Sequence, residues 1–312
     1  MSRRRPPRQA GVALLTALLI TAIAAVAAVA MAARQQLDLR RTGNVLDADQ
    51  AYLFTLGVES WAKQILARDR RDGEVDHPEE DWATILPPIA VEGAVVAGRI
   101  EDMQGRYNLA NLVDAEGRAS EEDVQRFRRL LAALDLDEGL ADAVVDWIDA
   151  DLEPRFPNGA EDTVYLGKTP AYRAANALMQ SPSELLLVNG FTQEIYNTLA
   201  PYVATLPART PLNVNTASAP LLMALAEGIT ESDATQLIDE RGDKGYPSVD
   251  DFLAHPLLKE RRQKITDISV STSYFMIYAN ARFERSKMDL YSLVARGADA
   301  RVSVVRRSQG AI

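Results

Sequence analysis

Residues 12–33 read VALLTALLITAIAAVAAVAMAA, a run of 22 residues with no charge and only Thr16 and Thr21 polar. No other segment constrains the chain as strongly. At 1.5 Å per residue such a helix is roughly 33 Å long, enough for a bilayer core. Arg3, Arg4, Arg5 and Arg8 precede it, with no acid among them. The positive-inside rule holds that end in the cytoplasm and places everything after Arg34 on the far side. The residues alone admit three readings: a cleavable secretory signal with a site such as Ala30-Met31-Ala32, a plain signal anchor, or a helix retained after a cut at Gly11. Gly11 sits between the basic leader and the apolar run.

The chain has 312 residues, enough for two modest folded units and an anchor. Its formal charge is −10, and the leader arginines lie outside the exported body, which is therefore more acidic still. That argues against a broad phosphate-binding surface. The count of cysteines is 0, which excludes disulfides, thiolate catalysis and cysteine-ligated zinc. The two histidines, His77 and His255, each precede a proline in turn-like contexts. There is no Gly-rich phosphate loop, HExxH or GxSxG pattern. Adjacent carboxylates such as Glu161 and Asp162 do not by themselves define an acid–base pair. The expectation is a protein that is not an enzyme.

The anchor helix is expected to run on to about residue 68. Ala48, Tyr52, Leu56, Ala62 and Leu66 recur at near-helical spacing, Gly43-Asn44 marks a kink, and Arg68 to Gly73 ends the helix. Tyr52, Phe54 and Trp61 are expected to pack against a soluble domain. Residues 70–93 read as a proline-rich loop with one short helix near Glu79 to Leu86, residues 94–103 as a strand, and Tyr107 to Leu112 as a short second strand or extended segment. Helices follow after Ser120 with Asp123, over Glu138 to Ile148, after Ser181 with Glu184, and over Gln193 to Ala200. Residues 213–255 read as helix, turn, helix, loop, helix. Segments 273–285, 288–296 and 300–307 alternate as a three-stranded antiparallel meander. The fold class is α+β: a long N-terminal transmembrane and stem helix, then an antiparallel sheet domain with a large all-α insertion.

The strongest local signal is the acidic loop 146–165. It carries Asp146, Asp149, Asp151, Glu153, Asn158, Glu161 and Asp162 on backbone broken by Pro154, Pro157 and Gly159. Calcium takes six to eight oxygens from such loops. The spacing Asp149-x-Asp151-x-Glu153 is like the start of a calcium loop. It is not an EF-hand, because Pro154 and Ala160 stand where that loop needs its glycine and last glutamate. Spacing leaves two readings open, a cation site and a solvated acidic loop.

The leader, Gly11 and the long helix together resemble the type IV prepilin-like signal. Cutting after Gly11 makes Val12 the first residue and Thr16 the fifth, where most of that class carry glutamate. With the run DWIDAD…PNGAED…PAYRAAN…SELLLVNGF and the LNVNTA segment, the chain from Gly11 to about Ser303 resembles the minor pseudopilins K of bacterial type II secretion. The resemblance implies the organisation 1–11 leader, 12–68 transmembrane and stem helix, 69–114 first part of the pseudopilin domain, 115–270 helical insertion and 271–312 meander completing the sheet. It implies processing at Gly11 and Val12 by prepilin peptidase, with N-methylation of Val12 an open question. It implies structural calcium held by Asp149, Asp151, Glu161 and Asp162, with Asp146, Glu153 and Asn158 as weaker ligands. Partners implied are minor pseudopilins I and J, other pseudopilins and inner-membrane lipid. Leu14, Leu15, Thr16, Leu18, Leu19 and Ile23 form the assembly helix. The implied location is the inner membrane, single pass, with the C-terminal domain periplasmic. The implied role is capping the pseudopilus tip and helping start its assembly.

The segment from Leu212 to Leu253 also resembles a helix-hairpin-helix module of the competence-protein type, which binds DNA phosphates. Here the hairpin reads Gly228-Ile229-Thr230-Glu231, without the second glycine. Arg241 and Lys244 stand among six acids, Glu227, Glu231, Asp233, Asp239, Glu240 and Asp243. A packing module without nucleic acid is the expectation; an anchored DNA-uptake protein is the rival reading, and an anchored periplasmic enzyme is another.

Overall fold

A computed structural model describes residues 10–310, with side chains from Val12 onward. The leader arginines fall outside the described residues. One helix, α1 (Ala10–Asp72), dominates the N-terminal part. Over residues 12–42 it is exposed, and its apolar stretch is long and apolar enough to cross a membrane. From Ala51 on it turns one stripe inward: Ala51, Thr55, Val58, Ala62 and Leu66 are buried at steps of three and four residues. The helix runs unbroken through Gly43-Asn44.

Beyond α1 come β1 (Leu86–Val91), β2 (Ala94–Asp102) and the two-residue β3 (Tyr107–Asn108). The helical part holds α2 (Glu121–Ala133), α3 (Leu140–Ile148), α4 (Asp162–Tyr165), α5 (Gln193–Leu199), β4 (Val203–Ala204), β5 (Leu212–Asn213), α6 (Ala219–Met223), α7 (Glu231–Arg241), α8 (Val249–Leu253) and β6 (Ile268–Ser269). The chain ends in β7 (Tyr274–Phe283), β8 (Ser286–Arg296) and β9 (Val302–Gln309). The main sheet is antiparallel in the order β1-β2-β7-β8-β9.

One face of that sheet receives α1. Ile100, Phe275, Ile277 and Val294 pack with Ala62 and Leu66, and Val96, Ala279, Ala281 and Leu290 pack with Val58. The approach is close at Gly98, where an added Cβ would fall 2.8 Å from Val58 Cγ1 and 3.0 Å from the Tyr278 carbonyl. Glycine is the residue that lets helix and sheet meet there.

The insertion's position follows from the register. It leaves the sheet after Asp102, which pairs with Phe275, and returns at Tyr274, which pairs with Ala295. Arg296, next along β8, bonds Asp69 in the last turn of α1 at 2.6 Å. The insertion therefore sits at the end of the sheet where α1 ends, far from the apolar anchor. Tyr107, Phe127, Leu131, Val144 and Tyr165 belong to a core of its own.

Several local expectations are corrected. The stretch 70–93 is not all loop: β1 occupies its end, and the short helix is a single 3-10 turn, Asp81–Ala83. Pro87 and Pro88 argue against a strand, but β1 is the sheet's edge, where a missing N–H costs nothing. A two-residue turn joins it to β2, with Glu92 and Gly93 at φ 46° and 86°. Tyr107–Asn108 is the only strand in its segment; Leu109–Leu112 closes into a 3-10 turn. The Ser181–Glu184 capping box forms, yet it opens a 3-10 helix. Trp61 does not pack into the domain: it stays 49% exposed and lines an open groove with Ile65 and Ile85.

Candidate metal centre

Helix α3 is buried along its whole length and ends at Asp149, whose backbone turns extended at φ −68°, ψ 170°. That turn carries the acidic loop back across the helix end. Arg155 ties the loop down: its main-chain N–H donates to Asp146, and its guanidinium bonds Glu121 of α2 at 2.7 Å. An aromatic floor supports the returning loop, with Trp147 edge-on to Tyr165 at 5.1 Å and Tyr172 stacked on Tyr165 at 5.4 Å.

This geometry brings Asp149, Asp151 and Glu161 together, with one oxygen of each within 4.8 Å of the others. Asp149 and Glu161 are buried. Asp149 Oδ1 and both carboxylate oxygens of Glu161 have no hydrogen-bond partner. A carboxylate stripped of water and left unpaired is costly, and two of them stand together here beside the exposed carboxylate of Asp151. Burial, with the charges of Asp151 and Asp146, pushes Asp149 up to about 7. Burial and the same neighbours push Glu161 up to about 7. Asp146 is raised by burial to about 6, against two main-chain hydrogen bonds that favour its charge. Among the described residues no ion pair reaches Asp149, Asp151 or Glu161, and the charge of Arg155 acts on Asp149 too weakly to offset its burial. Oxygen-only donors, high charge and this span fit a hard cation with ligands at roughly 2.4 Å.

The other expected ligands stand elsewhere. Asp162 begins α4 and faces away: its Oδ1 accepts from the Ala174 N–H at 3.1 Å and its Oδ2 lies 3.6 Å from Arg173. Glu153 and Asn158 are exposed. Asp146 lies beside the cluster and spends its oxygens on the main-chain N–H groups of Arg155 and Ala160. One residue went unforeseen. Asn176, at φ 43°, donates to the Asp151 carbonyl at 3.0 Å and keeps a buried, unpartnered side-chain oxygen. It stands 25 positions from Asp151, and no local spacing pattern could have flagged it.

A second acidic trio, Asp69, Asp76 and Glu80, already has its cation. Arg296 bonds Asp69 at 2.6 Å and Asp76 at 2.5 Å, while Glu80 accepts from Trp82 Nε1 at 2.7 Å. The hairpin of the 213–255 module is occupied from within. Arg261 donates to the Glu227 and Gly228 carbonyls, and Arg241 to those of Val214 and Ala217. The asparagines of LNVNTA work inward too: Asn213 donates to Asp102 at 2.9 Å, and Asn215 exchanges hydrogen bonds with the Tyr246 main chain. Leu14, Leu15, Leu18, Leu19 and Ile23 are exposed on α1, and Thr16 Oγ1 donates to the Ala13 carbonyl at 3.0 Å. Gly11 lies in the first turn of α1, with its side-chain environment and the preceding leader outside the described residues.

A long N-terminal helix, apolar in its first half and laid on an antiparallel sheet in its second, with a helical insertion carrying an acidic loop, is the architecture of a pilin-like subunit. Family models for type II secretion system protein K match residues 105–208 and 212–271. The type II secretion system protein K of Pseudomonas aeruginosa is 39% identical, over 97% of this chain and 93% of that protein. The protein K of Aeromonas hydrophila is 33% identical, over 97% of this chain and 98% of its own length. The crystal structure of the GspK-GspI-GspJ complex from the enterotoxigenic Escherichia coli type 2 secretion system contains a similar fold. It has a TM-score of 0.78 and 27% identity, and the match covers 87% of this chain and all of that one. The chain belongs to the type II secretion system protein K family, and its role is that of a minor pseudopilin in protein transport.

Proposed function

We propose that this subunit caps the tip of the pseudopilus and helps initiate its assembly. The observation that carries this is the place of the insertion. Residues 103–273 leave and rejoin the sheet at the end of α1 opposite the anchor. A filament extended from the membrane stacks each α1 below its predecessor, and bulk at the distal end leaves no room for a subunit above. Thr16 at the fifth position after Gly11 agrees with this, since a subunit at the top has no neighbour above whose amino terminus needs a carboxylate.

In this reading prepilin peptidase removes residues 1–11, and α1 waits in the inner membrane with the domain in the periplasm. The subunit then joins minor pseudopilins I and J, as the solved relative does. Leu14, Leu15, Leu18, Leu19 and Ile23 change lipid contact for helix contact. Calcium is the cation proposed for Asp149, Asp151 and Glu161, with Asn176 and Asp146 adjacent. Bound there, it would neutralise the cluster and hold the loop against α3 and the Trp147–Tyr165 floor.

Co-expression with prepilin peptidase, followed by N-terminal sequencing, tests the processing step. Val12 as the first residue is the expected result. An intact leader, or a cut near Ala32, would contradict it.

A further inference from the structure

The sheet face turned away from α1 is covered only in part. Met276 and Leu293 pack under Met103 and Leu206 of the insertion. Beside them a cavity of about 540 Å³ opens between sheet and insertion, walled by Met103, Met276, Tyr278, Tyr196, Arg106 and Arg306. A recess of about 340 Å³ shares Leu293 and Arg306 with it and reaches Val305 on β9. That strand is an edge, paired with β8 alone.

Arg306 faces this cleft because of an irregularity in the β8–β9 register. Val294 pairs with Val304, but Leu293 pairs with Arg306, so Val305 is skipped. Val304 stays on the α1 face with Val294, Arg307 returns to it, and Arg306 goes to the other side with Leu293. The other two arginines of β8 and β9 are matched, Arg307 to Glu59 and Arg296 to Asp69 and Asp76. Arg306 is half-buried, and its side chain makes no hydrogen bond or ion pair among the described residues. Burial lowers its pKa, opposed by the charge of Glu184. That carboxylate is already taken by the N–H groups of Gln180 and Ser181. Across the cleft, Arg106 and Arg99 share the single carboxylate of Glu101 with the Tyr278 hydroxyl. The cleft is thus a positive, apolar-walled recess on a chain of net charge −10.

We propose that the cleft binds an extended segment of a partner protein that presents a carboxylate beside an apolar side chain. The carboxylate pairs with Arg306, whose planar fork matches its two oxygens. The apolar neighbour enters between Met276 and Tyr196, where methionine adapts to shape. The free edge of β9 offers main-chain donors and acceptors to the same segment, as in strand addition. A phosphate dianion would call for more donors than one unpaired guanidinium among methionines and tyrosines supplies.

The test uses the full chain in detergent micelles and a displayed library of random heptapeptides. Enriched peptides are expected to carry Asp or Glu next to Phe, Leu or Met. They should perturb the Met103 and Met276 methyl resonances and lose about tenfold in affinity for Arg306→Gln. Arg306→Lys should retain part of the binding. Arg306 has no partner to lose, so Arg306→Gln should keep the wild-type Tm; a lower Tm would make it a structural residue and overturn the proposal. So would no enrichment over empty micelles, acid-free winners, undiminished binding to Arg306→Gln, or displacement by millimolar inorganic phosphate. None of these readouts involves minor pseudopilins or calcium, so the cleft and the tip reading stand or fall separately.

Discussion

Arg307 of β9 holds Glu59 of α1 through two bonds, Nε to Oε2 at 2.7 Å and Nη2 to Oε1 at 2.8 Å, and Ser292 adds a third at 2.6 Å. Apart from the Arg296–Asp69 pair in its last turn, the stem helix is fastened to the sheet by apolar packing, which has no preferred register along the helix. This polar clasp fixes which turn of α1 meets which strand.

Arg307→Ala leaves a buried carboxylate with Ser292 alone. The expected cost is about 2 kcal/mol, since bonds to charged groups contribute about 1.5–3 kcal/mol each and this arginine is partly exposed. Chemical denaturation of the domain measures it. A change within error would show that the clasp is incidental.

The clasp also sets a pH dependence. Burial raises the Glu59 pKa, but the bonds from Arg307 and Ser292 outweigh it and the net shift is downward from 4.5. A carboxyl with a depressed folded pKa contributes stability that is present above its unfolded pKa and lost as pH falls through the folded one. Stability should therefore decline below about pH 4.5, and Glu59→Gln should flatten that limb of the curve. An unchanged slope in the variant would assign the decline to other carboxylates.

Asn213 joins insertion to sheet, donating to Asp102 Oδ2, the Asp76 carbonyl and Thr272 Oγ1. Asp102 is buried, and burial holds its pKa up despite the donors from Thr216, Thr272 and Asn213. Asn213→Ala should cost about 2 kcal/mol, the desolvation penalty of groups left unmet. Asn213→Asp should cost more, by setting a second carboxylate against Asp102. Thermal unfolding separates the two.

Calcium removal should weaken the insertion. A cation at a hundred times its dissociation constant stabilises by about 2.7 kcal/mol, or about 5–10 °C in a domain of this size. Chelator should lower Tm by that amount, and Asp149→Asn should erase the difference. Equal melting curves with and without chelator would leave the acidic loop a solvated surface.

The helix-hairpin-helix resemblance gives an opposite expectation for DNA. The hairpin carbonyls are satisfied by Arg261, and Arg241 points inward. Duplex DNA at 50 mM salt should show no retardation in a gel. A salt-sensitive shift would revive the DNA-uptake reading.

The anchor, the terminal meander and the acidic loop were legible because each signal is local: an uncharged run, period-two alternation, clustered acids. Strand β1 was hidden by Pro87 and Pro88, whose effect depends on whether the strand is an edge, and that is a property of the whole sheet. Trp61 reads as core by residue type, but its face of α1 turns away from the sheet. At the candidate metal centre, Asp149, Asp151 and Glu161 come from one loop, whereas Asn176 comes beside it only through the tertiary fold. Asp162, adjacent to Glu161, is directed away because Glu161 is the extended residue before α4, and successive side chains on extended backbone point to opposite sides.

The most direct test of the tip reading is assembly itself. The full chain would be co-purified in detergent with minor pseudopilins I and J from the same source, then analysed by size-exclusion chromatography with light scattering in calcium and in chelator. The tip account predicts a 1:1:1 complex in calcium that weakens or dissociates in chelator. Three separate species in both buffers would contradict it.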